Sequence, residues 1–180
     1  TGLDFFAVAT GIGFEWHSAS DFMADGLKVS ASFSADTGAA AAATAALESS
    51  WGVGATYVTS AGDTAVTIGA GLADSEMKDT DNDVTGSNGF HIGFSAVTGD
   101  LTVAAGYANG DKVRTTPEQV VYDNSVSKIG VKYVAGDVTL SAGFTSGEVD
   151  DNGTITAASG SLDTKDVTEL GISYAVASGV

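Results

Sequence analysis

One short phrase recurs five times along this chain: an apolar residue, a glycine, an apolar residue. It stands at Ile12-Gly13-Phe14, Val53-Gly54-Ala55, Ile92-Gly93-Phe94, Ile129-Gly130-Val131 and Leu170-Gly171-Ile172, at spacings of 41, 39, 37 and 41 residues. The three central copies open a longer repeat, plainest in two of them. Residues 90–111 read FHIGFSAVTGDLTVAAGYANGD and residues 128–148 read KIGVKYVAGDVTLSAGFTSGE. Each is an alternating strand, a turn ending in Gly-Asp, a second alternating strand and a polar stretch. A repeat of this kind limits the chain to an array of β-hairpins with short turns at one end and long acidic connections at the other.

Composition narrows the function classes. The chain has 180 residues and a formal charge of −16, from seven basic and 23 acidic side chains. Phosphate binding needs clustered Lys and Arg, so nucleic acid is not an expected partner. The absence of cysteine removes disulfide scaffolds, thiol nucleophiles and Cys-based zinc sites. No run approaches the roughly 18 apolar residues of a membrane helix, and no secretory leader is visible. One proline and 24 glycines in an alternating sequence point to a β protein.

Alternation predicts nine strands, at about 5–16, 27–35, 47–59, 64–73, 90–97, 101–108, 125–134, 138–146 and 168–176. Tight turns are expected at 60–63, 98–100, 135–137 and 177–179, where Gly and Asp suit turn geometry. Long loops are expected at 74–89, 109–124 and 147–167, with an alanine-rich connection at 36–46 and a longer first turn at 17–25 holding Phe22 and Met23.

One face of each predicted strand is apolar; the other is Gly, Ala, Ser and Thr with few charges. A soluble sandwich would show Lys, Glu, Arg and Gln on its outer face. The small, weakly polar face suits the inside of a closed barrel instead. Aromatic residues sit near strand ends on the apolar face. Tyr57, Phe94, Tyr133 and Tyr174 lie towards the tight turns, and Tyr107 and Phe144 towards the opposite end. Two such belts are expected where rings meet the two lipid–water boundaries; filling a sandwich core is the other reading of the same aromatics.

The paired blocks Gly93–Gly106 and Gly130–Gly143 share the form strand, Gly-Asp turn, Thr-apolar-x-Ala-Gly-aromatic. In these the chain resembles the Gram-negative general porins, closest to their alphaproteobacterial branch. The likeness is good from 51 to 180 and poor before it. It implies an all-β, antiparallel up-and-down transmembrane barrel of about 16 strands in the bacterial outer membrane. It also implies a homotrimer in contact with the lipid bilayer and lipopolysaccharide, a water-filled pore for small hydrophilic solutes, and an inward-folded loop, for which 36–46 is a candidate. Nine strands are too few for such a barrel, so the chain is read as a single partial-barrel domain, a piece of a longer protein. A ten-strand closed barrel would need a further strand beginning at Val180.

Glu15, Lys28, His91, Lys128, Lys132 and Glu169 are the ionisable residues on the predicted lumenal face. They would bias ion passage, or simply be tolerated by a hydrated interior. A cross-strand pair between Glu169 and Lys128 or Lys132 is one option. Asp79, Asp81 and Asp83 begin a calcium-loop-like D-x-D-x-D, but Val84 replaces the required glycine and Phe90 the final glutamate, which excludes an EF-hand. A looser Ca²⁺ site at acidic external loops, with Glu148, Asp150 and Asp151 as a second group, stands against plain solvated carboxylates. No nucleophile elbow, zinc-protease helix or phosphate loop occurs, so enzyme activity is not expected. The expectation is a passive channel, mildly cation-preferring through its acidity. The alternative is a surface-exposed hairpin-repeat protein, such as an adhesin, phage receptor or surface-array component, without transport.

Overall fold

The computed structural model describes residues 12–35, 46–78, 84–116, 118–151 and 163–175. These form nine strands: β1 (Ile12–His17), β2 (Leu27–Ala35), β3 (Ala46–Ala61), β4 (Thr64–Lys78), β5 (Val84–Thr98), β6 (Leu101–Thr116), β7 (Glu118–Ala135), β8 (Val138–Asp151) and β9 (Asp163–Tyr174). They make one antiparallel sheet in chain order, β1 through β9, every strand paired with its sequence neighbours. Within the described residues β1 and β9 each pair on one side only.

The tight turns follow from their sequences. β3–β4, β5–β6 and β7–β8 are joined by two residues each, Gly62-Asp63, Gly99-Asp100 and Gly136-Asp137. The glycines adopt φ of 61°, 54° and 61°, and the following aspartates stay outside the left-handed region. Positive φ at the first central position alone is the type II′ hairpin turn, whose twist matches the flanking strands. The turn expected at 177–179 lies outside the described residues. The first hairpin turns more widely. Asp21 and Met23 take left-handed φ of 68° and 62°, and the Gly26 amide donates to Asp21 Oδ1 at 2.8 Å.

Two of the three expected long loops are instead mostly ladder, and the third is so at both its ends. β4 and β5 stay paired out to Lys78 and Val84, and β6 and β7 out to Thr116 and Glu118, with Pro117 alone between them. β8 runs on to Asp151 and β9 starts at Asp163. The apolar alternation stops where these strands turn polar, but backbone pairing needs no apolar side chain to continue. Residues 5–11 of the first expected strand, and the 36–45 part of the alanine-rich connection, lie outside the described residues.

No large side chain among the described residues is fully buried. The apolar face is open along its length: Leu72 is 55% exposed, Ile92 51%, Ile129 57% and Leu170 83%. This sheet has no second layer of described structure on it, so among the described residues its apolar side chains pack into no sandwich core. They form a continuous surface that demands an apolar surrounding.

Candidate functional site

Register fixes what the two faces carry. On the apolar face, Trp51 of β3, Phe90 of β5, Tyr107 of β6 and Phe144 of β8 make the belt towards the loop end. The pairing places them in four successive register rows, each displaced two residues from the last. Three rows are about 20 Å along the strands, against about 24 Å for the five strand spacings crossed, so the belt slants by about 40°. The belt at the turn end behaves alike. Tyr57 and Phe94 share one row, Tyr133 lies two rows lower, and Tyr174 one row lower again. Strands of a closed barrel lean roughly 35–45° from its axis. Belts that run obliquely across the rows by this angle are level when the strands are tilted as in a barrel. Trp16 continues the lower belt into β1, where its ring meets Phe22 edge-on at 5.6 Å.

Beyond the loop-end belt the same face becomes acidic. Asp74, Glu76, Asp111, Asp123, Glu148 and Asp166 all share it by register. Asp111 lies two rows beyond Tyr107 in β6, outside the apolar band. A hydrogen bond with Asp123, then burial, then the neighbouring charge raise the Asp111 carboxyl above its ordinary value. Among the described residues no three His, Asp or Glu side chains converge as a metal site. Asp79, Asp81 and Asp83 lie outside the described residues, as do the side chains of Asp150 and Asp151. Glu148 stands exposed on the apolar-face side, not on the glycine-rich one.

Glu15, Lys28, His91, Lys128, Lys132 and Glu169 all fall on the other, glycine-rich face. Glu15 is not alone there: its carboxylate accepts from His17 Nε2 at 2.7 Å, with both side chains well exposed. The option of a direct pair between Glu169 and a β7 lysine meets a topological correction. β8 lies between β7 and β9, and Glu169 is level with Gly143 and Gly130. Among the described residues no ion pair joins Glu169 to Lys128 or Lys132. The Glu169 side chain reaches over Gly143, with Oε2 3.8 Å from where a Cβ there would stand.

Sequence reading did not anticipate the rows that join these residues across strands. One row reads Lys28, Thr56, Gly69, Gly93, Gly106, Lys128, Thr145. The next, towards the loop end, carries His17, Ser30, Gly54, Gly71 and His91. Another is a rung of four serines, Ser34, Ser50, Ser75 and Ser87, in which Ser75 Oγ and Ser87 Oγ lie 2.7 Å apart. Ser34 is the buried polar side chain of the described residues, and its Oγ has no partner. Only cross-strand register makes such rows, and a single strand's alternation does not encode register.

No family model matches the chain, and no curated protein matches it by sequence. Among solved structures it is similar to OmpTΔL8, a loop L8 deletion mutant of OmpT, an outer membrane protein of Vibrio cholerae. The TM-score is 0.61 at 18% identity, over 98% of this chain and 60% of that one. The fold is that of an outer-membrane β-barrel wall. The chain spans about 60% of the length of the structure it matches.

Proposed function

We propose that this chain is the wall of an outer-membrane porin, with its apolar face in lipid and its glycine-rich face lining a water-filled channel. The observation that carries the reading is the pair of oblique aromatic belts. They bound an apolar band on one face, while the opposite face holds small residues and exposed Lys28, Lys128, Lys132 and Glu169. Nine strands over 60% of the matched structure's length scale to about 15 for the whole, near the 16-strand size at which barrels leave an aqueous channel.

Ions and small hydrophilic solutes would move down their gradients through this channel. The excess of acidic residues concentrates cations at the loop-end mouth and gives a mild cation preference. Contact with lipopolysaccharide fits the acidic strip above the loop-end belt, where divalent cations such as Ca²⁺ would bridge carboxylates to anionic headgroups. Trimer formation is carried by the resemblance to general porins. The test is conductance of the full-length protein in planar bilayers under a KCl gradient. Stable unit steps with a cation-sided reversal potential support the reading. A protein that inserts and carries no current refutes it and leaves a surface-binding role for the barrel.

A further inference from the structure

The middle of the glycine-rich face holds a vacancy that its own packing does not require. Gly69, Gly93 and Gly106 are direct cross-strand partners on three adjacent strands, so they form an unbroken floor. Some other glycines on this face are dictated by contact, though Gly130 and Gly143 are not. A Cβ on Gly110 would stand 2.7 Å from the Asn88 carbonyl oxygen, and one on Gly71 would overlap the His91 ring. The floor is different. A Cβ on Gly93 would meet only the Ala105 oxygen at 3.9 Å, one on Gly106 only the Ile92 oxygen at 3.6 Å, and one on Gly69 atoms at 3.8 Å. None of the three has a positive φ. Glycine weakens a strand interior relative to alanine. Three in a row, without steric need, keep the space above them clear.

The rim of that space is basic and hydroxylic. Lys28 and Lys128 stand in the same register row, one on each side of the floor, each exposed. His91 stands one row towards the loops; Thr67 and Ser95 stand one row towards the turns. Together they line a concavity of about 830 Å³, whose lining among the described residues holds no Asp or Glu, although its His17 is bonded to Glu15. Among the described residues neither lysine is ion-paired. The lysines lie five strand spacings apart, about 24 Å along the wall, too far to chelate one small ion. They frame the floor, Lys28 beside Thr56 and Lys128 beside Thr145.

We propose that this concavity is a transit station for small anionic solutes, carboxylates or phosphate esters, set in the wall of an otherwise cation-preferring channel. The proposal rests on the porin reading, because it requires the glycine-rich face to be wet. A station of separated single charges binds weakly enough to release, as conduction demands. At a Debye length of about 8 Å it also weakens as salt rises.

The test compares gluconate and sorbitol, an anion and a neutral solute of equal carbon number, entering vesicles that hold the full-length protein. The readout is the ratio of the two fluxes. Replacing both lysines (Lys28→Gln with Lys128→Gln) is expected to lower the ratio at least about threefold at low salt, and Lys→Arg at both positions to keep it. Gly93→Glu, which has room for its side chain, is expected to lower the ratio further. A ratio unchanged by both the glutamine pair and Gly93→Glu overturns the station while leaving the channel. No flux of either solute through wild-type protein overturns the channel and the station with it.

Discussion

Ile92 and Gly93 are neighbours in β5, and the account puts them in different solvents. Ile92 lies between Phe90 and Phe94, midway between the two belts, and is 51% exposed on the apolar face. An arginine on the lipid side of a barrel costs about 2–4 kcal/mol at the bilayer midplane and much less near the interfaces. Ile92→Arg is therefore expected to destabilise by about 3 kcal/mol, roughly a 150-fold change in the folding equilibrium. Gly93→Arg puts the same charge one residue away on the opposite face, where a Cβ meets only the Ala105 oxygen at 3.9 Å. Its cost is expected within about 1 kcal/mol of zero, since removing a strand glycine offsets part of any penalty. Reversible urea titration of the full-length protein in lipid vesicles measures both, and the m-value shows whether the unfolding transition is the same. Equal costs, or a larger cost for Gly93→Arg, would refute the assignment of the faces.

Further predictions follow from the same geometry. Gly69→Ala is expected to stabilise by about 0.5–1 kcal/mol because its Cβ meets nothing nearer than 3.8 Å, whereas Gly71→Ala displaces the His91 ring and shifts its imidazole NMR signals. The raised Asp111 carboxyl keeps its proton longer in the folded protein than in the unfolded chain. Its contribution is present below the ordinary value of 3.8 and is lost as pH rises through the raised folded value. Asp111→Asn should therefore raise the urea midpoint above that range and flatten its pH dependence; an unchanged pH profile would contradict the shared hydrogen bond with Asp123.

Much of the sheet was legible in the sequence because one apolar and one small, weakly polar face impose a two-residue period on each strand. The second strand, 27–35, coincides with β2. The Gly-Asp pairs gave three hairpin turns, and the register keeps the six aromatics on one face of the sheet. The strand extensions beyond Ala73, Ala108 and Ser146 were not legible, since polar residues there pair through their backbones and leave no hydropathy signal. The slant of the belts and the Lys28–Lys128 row were hidden for a second reason. Both exist only across strands, and register is set by the turns and facing patterns jointly. The option of a Glu169 pair with a β7 lysine failed on strand order instead, since β8 lies between them.

The central claim is that one face of this sheet meets lipid and the other meets water. These 180 residues hold no cysteine, so single cysteines can be introduced along β5 at positions 90–96 of a full-length protein otherwise free of cysteine. In full-length protein reconstituted into vesicles, a charged water-soluble thiol reagent should modify positions 91, 93 and 95 and spare 90, 92, 94 and 96. Uniform modification, or modification favouring Ile92 and Phe94 over Gly93, would contradict the account.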